Sequence, residues 1–115
     1  YEGGYIFQIN DDGTGLVADL QDLGQLDWDD AMNIAASSTS QGYDDWYLPS
    51  IDELELMYST IGQGGGNIGG FENFDWYWSS SGFNSNVAWG VYFSNGTTSP
   101  HSKYLTFRVR VIRTF

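Results

Sequence analysis

The stretch from Trp76 to Ser102 contains no Asp, Glu, Lys or Arg, yet it is dense in side chains that can hold a ligand. Ser81, Asn84, Asn86, Tyr92, Asn95, Ser99 and His101, with Tyr104 just beyond, supply hydroxyl, amide, imidazole and aromatic groups. Such groups stack on apolar faces and exchange neutral hydrogen bonds without the desolvation cost that a charge imposes. That chemistry suits a sugar or a protein surface. Ser79 falls in the same outward series, and Ala88 and Gly90 leave room beside it. The opposite phase, Trp76, Trp78, Val87, Trp89, Val91 and Phe93, alternates strictly and reads as core.

Catalytic arrangements are sparse. His101 is the one histidine and reads as lying in a Thr/Ser/Pro-rich loop, and the run Ser79-Ser80-Ser81 lacks the Gly-x-Ser-x-Gly elbow of a hydrolase nucleophile. A carboxylate pair for glycoside hydrolysis is a property of the fold rather than of spacing. The expectation is a binding domain, not an enzyme. For calcium, several oxygens must converge on one ion. Asn10-Asp11-Asp12-Gly13 lacks the alternate ligands and terminal Glu of an EF-hand and reads as a turn, and Asp27, Asp29 and Asp30 read as a helix start. Asp44-Asp45 and Glu72 with Asp75 flank loops and keep a calcium site open as an alternative to the expected absence of a cofactor.

Charge sorts the chain into three blocks. All acidic residues lie between Glu2 and Asp75 and all basic ones between Lys103 and Arg113, with 15 Asp/Glu against 4 Lys/Arg and a net charge of −11. This balance excludes binding to nucleic acid through phosphate neutralisation and attraction to anionic lipid. Arg108 and Arg110 share a face of the last strand, with Arg113 beyond. They are expected to pair with carboxylates of the first half and so fasten the chain's end to its beginning. An arginine clamp for an anionic ligand is the weaker reading amid so much negative charge.

A length of 115 fits a single domain over 1–115. Five Trp, eight Tyr and seven Phe are too many for a disordered acidic tail. Without cysteine there is no disulfide framework or thiolate chemistry, and this leaves the compartment open. No apolar run approaches the roughly 20 residues that span a bilayer. The start, Tyr1-Glu2-Gly3-Gly4, has neither initiator Met nor signal-peptide character, so a processed chain or a domain of a longer protein is expected.

Positioning falls to strands at both ends and helices between. Tyr5, Phe7 and Ile9 alternate as a strand, and Asp12-Gly13 turns the chain into a second near Leu16 to Leu20. Trp28, Ala31, Met32, Ala35 and Ala36 form one helical face capped by Asp27, with Gly42 expected after its end. Ser50 and Glu53 form a capping box for a second helix, Leu54, Met57, Tyr58 and Ile61 lining its face. Gly62 to Gly70, six glycines in nine positions, reads as a surface loop too flexible to pack. Alternation then predicts strands around Phe74 to Trp78, Val87 to Phe93 and Leu105 to Ile112, with a turn at Asn95-Gly96. The class is α+β, with an antiparallel sheet region and ends able to pair.

The order of landmarks resembles a known family. Gly3-Gly4-Tyr5-Ile6-Phe7, Gly15-Leu16-Val17-Ala18, Gly42-Tyr43-Asp44-Asp45-Trp46-Tyr47-Leu48-Pro49-Ser50, Tyr77-Trp78-Ser79-Ser80-Ser81, Ala88-Trp89 and Arg108-Val109-Arg110-Val111-Ile112-Arg113 are similar to the Lcl C-terminal domain family, named after a bacterial collagen-like adhesin. The resemblance implies a C-type-lectin-like fold: two helices packed on a small antiparallel sheet that gathers both termini, and a second, loop-rich β region that carries ligands. It also implies an extracellular or cell-surface adhesion role. The Glu-Pro-Asn, Gln-Pro-Asp and Trp-Asn-Asp strings of calcium-dependent lectins do not occur. Some relatives carry cysteines and a longer segment where Asp22 to Asp27 here connects directly. The formylglycine-generating enzymes share the broad fold but depend on cysteines. Expected partners are a glycan or a protein surface, or copies of the chain in a fibre, with no membrane insertion.

Overall fold

The computed structural model describes residues 2–115. The elements run β1 (Gly4–Ile9), β2 (Gly15–Asp19), β3 (Gln25–Leu26), α1 (Trp28–Ser37), α2 (Ile51–Thr60), β4 (Trp76–Gly82), β5 (Val87–Tyr92), β6 (Thr97–Ser102), β7 (Phe107–Arg108) and β8 (Ile112–Thr114). The class is α+β, as expected.

Both ends enter one small antiparallel sheet, ordered β1-β2-β8, with β2 between them. Its hairpin is made by Asp12, whose carboxylate accepts from the Thr14 N–H and hydroxyl, and by Gly13 at φ +87°. The second sheet is ordered β3-β7-β4-β5-β6, antiparallel except where β4 and β7 run parallel.

The single strand expected from Leu105 to Ile112 is divided. Phe107–Arg108 pairs in the second sheet and Ile112–Thr114 in the first, and the residues between cross from one to the other. Along the crossing the N–H of Leu23 donates to Val109, that of Val109 to Gly24, and that of Asp19 to Val111. A chain shared by two sheets leaves the ladder where they part. The alternation does not register this, because Val109, Arg110 and Val111 are all buried.

Helix α1 starts as expected, the Asp27 carboxylate accepting from the Asp30 N–H at 2.9 Å. It stops at Ser37, well before Gly42. The Ser37 hydroxyl donates to the Ile34 carbonyl and the Ser38 hydroxyl accepts from the Ser40 N–H, so the Ser/Thr run competes for the backbone and a short 3-10 turn, Ser40–Gly42, takes over. Helix α2 carries both halves of its capping box: Glu53 N–H to the Ser50 hydroxyl at 3.2 Å, and Ser50 N–H to the Glu53 carboxylate at 2.9 Å.

The glycine-rich segment is packed, contrary to the flexible loop expected. The Asn67 amide donates to the Phe71 carbonyl while its oxygen accepts the Phe71 N–H, both at 2.9 Å. Glycine is needed here because the chain lies against α2: a Cβ at Gly65 would run into the Thr60 carbonyl.

Two clusters form the core, one on each face of the second sheet. Leu54, Met57 and Ile61 from α2 and its end pack with Tyr77, Val91 and Phe93. Ala31 and Ala35 of α1 pack with Trp46, Trp78, Ala88 and Val109.

Candidate functional site

Residues paired across neighbouring strands share a sheet face. The registers Trp76 to Tyr92 and Trp78 to Gly90, continued by Tyr92 to Thr97, Gly90 to Ser99 and Ala88 to His101, therefore put all of these on one side of the sheet. Helix α1 buries the Trp78 and Ala88 end of that side. The remainder is a layer of half-buried rings.

Trp76 is its centre. It stacks with Tyr92 at a centroid separation of 5.2 Å and with Phe107 at 5.9 Å, and His101 meets it edge-on at 4.4 Å. Phe107 extends the layer to the buried Trp78 at 4.5 Å. A Cβ at Gly90 would stand 3.0 Å from the Tyr77 carbonyl on the neighbouring strand and in ordinary contact, 3.7 Å, with the Phe107 ring.

The polar atoms of the layer differ from those of the core. Trp28, Trp46 and Trp78 donate their indole N–H groups to the carbonyls of Ser79, Ser40 and Leu26 at 2.8 to 2.9 Å. Among the described residues neither Trp76 nor Trp89 has such an acceptor, and the Tyr92 hydroxyl is also unpartnered. Ser99 has only a long contact, 3.4 Å, to the Pro100 carbonyl. His101 Nε2 is buried without a hydrogen-bond partner, and burial lowers the imidazole pKa below its ordinary 6.5, so the ring is neutral at pH 7.

Of the expected site residues, Tyr92, Ser99 and His101 come together in this layer, His101 on strand β6, paired with Ala88, and not in the loop expected. Ser81, Asn84 and Asn95 hold local structure: the Ser81 hydroxyl accepts the Ile51 N–H at the start of α2, Asn84 accepts from the N–H groups of Asn86 and Val87, and Asn95 from Thr97. Asn86 and Tyr104 lie apart, beside Asp27, Asp29, Ser85 and Lys103 around a recess of about 110 Å³. Ser79 is a correction. It is fully buried, its hydroxyl donating to the Trp89 carbonyl at 2.6 Å, because the middle of β4 is covered on both faces: Tyr77, Trp78 and Ser79 are buried in succession. Tyr77, two residues before it, is buried too; its hydroxyl donates to Asp22 at 2.6 Å, and burial, with Asp22 second, raises its pKa. Trp76, expected in the core, and Phe107, expected on the last strand without a site role, are the layer's principal additions.

The arginines fasten the chain as expected. Arg110, only 2% exposed, donates to Asp22 at 2.6 Å and to the carbonyls of Asp19 and Gly69, filling the gap where the sheets part. Arg113 binds Asp45 at 2.7 Å and the Glu2 carbonyl at 2.9 Å; Arg108 binds Asp75 at 2.5 Å. The Arg113 hydrogen bond holds the Asp45 carboxyl below its ordinary pKa. Lys103 lies 4.2 Å over the Trp28 ring. Two carboxylates considered for calcium, Asp45 and Asp75, are thus engaged by arginine. Among the described residues, no group of three or more His, Asp or Glu side chains is placed to hold a metal ion.

The protein is thus an α+β domain whose second sheet bears a neutral, half-buried ring layer. The model of the Lcl C-terminal domain matches residues 8–113, and the chain belongs to that family. Membership points to an adhesin-like domain that works at the cell surface or outside the cell. No protein of curated function matches the sequence.

Proposed function

We propose that the domain is a non-catalytic extracellular recognition module that binds a glycan or a protein surface through the ring layer of Trp76, Tyr92, His101 and Phe107. One observation carries this reading: the indole N–H of Trp76 and the hydroxyl of Tyr92 are left without internal partners on a half-exposed aromatic layer, whereas three other tryptophans have their N–H groups satisfied in the fold. Rings that supply contact area beside unengaged neutral donors and acceptors are the chemistry of adhesive surfaces. A C-type-lectin-like architecture belongs to this reading, supported by two helices, a small sheet holding both termini and a larger sheet with long connections.

Glycan-array and cell-binding profiles of the wild type and Tyr92→Ala test it. The variant should lose the targets that the wild type captures; an identical profile overturns the site. Binding proceeds without metal in this account, so chelation should change neither the melting temperature nor the captured targets. A chelation-sensitive profile would favour the calcium-dependent alternative.

A further inference from the structure

Resting on that reading, we infer that the ring layer takes an uncharged saccharide and rejects sulfated or uronate-bearing ones. A cation free to face the ligand is what makes recognition of a sulfate or carboxylate strong. All four Lys/Arg side chains are engaged within the chain: Arg108 with Asp75, Arg110 with Asp22, Arg113 with Asp45 and Lys103 over Trp28. The one group in the layer able to become cationic, His101, is packed edge-on against Trp76 and Phe107.

What the layer does offer matches a neutral polyol. Trp76 Nε1, the Tyr92 hydroxyl and the Ser99 hydroxyl can meet sugar hydroxyls, while ring edges and faces meet the C–H surfaces of a pyranose. An anionic sugar would find none of its charge compensated there and would approach against a net charge of −11. The charges that make the fold cohere are thereby withdrawn from recognition, and selection falls to neutral hydrogen bonds.

The test is calorimetric titration with a neutral galactan oligosaccharide, a neutral glucan oligosaccharide and sulfated forms of both, using wild type, Trp76→Phe and Tyr92→Phe. These variants keep an aromatic ring and remove the donor. At least one neutral oligosaccharide should bind, insensitively to salt, with affinity falling about tenfold in each variant, and its sulfated form should bind at least tenfold more weakly. A sulfated form that binds as tightly, with the same loss in both variants, overturns the inference and leaves the site intact. Capture of immobilised cell-surface protein with no oligosaccharide binding, again lost in both variants, also overturns it in favour of a protein partner. Ligand binding unchanged in both variants overturns the underlying site as well.

Discussion

Arg110 shows how a single buried charge can be structural. Its guanidinium spans from Asp22 to two backbone carbonyls and lies 4.2 Å over the Phe71 ring, so its charge and its donors are met by the fold. Replacing it by Met leaves the Asp22 carboxylate without its closest cation, and the expected loss is about 3 kcal/mol, read by urea denaturation. His101 makes a different prediction. Its folded pKa is lowered, so the unfolded chain binds the proton more readily, and its contribution is complete above about 6.5 and lost as pH falls from there through the folded value. Melting temperature followed downward from pH 7 should show this slope, and His101→Phe should remove it. A slope of equal size in the variant would assign it to carboxylates instead.

At the scale of elements, helix starts are written locally and strand partners are not. Ser50 and Glu53 satisfy one another's backbone groups within one turn, so their spacing alone locates the start of α2; Ser50→Ala should cost about 1 kcal/mol by the same denaturation measurement. Gly62 to Gly70 misleads because its packing depends on the backbone of α2, which composition does not reveal. Gly65→Ala should therefore destabilise the domain, whereas in a free loop it would be neutral or slightly stabilising. The division of the last strand was hidden for a related reason: burial on both sides continues through the crossing. The site was only half legible. Alternation sorts one strand into two phases, but α1 and α2 cover opposite faces of the second sheet, so neither phase is simply inward. Tyr92, Ser99 and His101 were identifiable by type. Trp76 reads as core from the alternation of its own strand, whereas its place in the ring layer depends on the register opposite Tyr92, which is set by pairing across strands.

For the whole molecule, the three charge blocks of the sequence become an arrangement in space. The basic tail lies against the acidic half and adds Phe107 to the ring layer, and the uncharged middle supplies three of the second sheet's five strands and the layer's Trp76, Tyr92 and His101. Engagement of the arginines also removes the charge basis for head-to-tail contact between copies, so sedimentation at low salt should show a monomer; concentration-dependent association abolished by salt would argue for the fibre-module alternative. Recognition at the Trp76 layer is open to a direct test. The most direct measurement is the set of indole N–H resonances of the five tryptophans, followed as a captured glycan is titrated in. The Trp76 resonance should shift with saturation while those of Trp28, Trp46 and Trp78 stay in place. Saturable binding that leaves Trp76 unmoved would contradict the account.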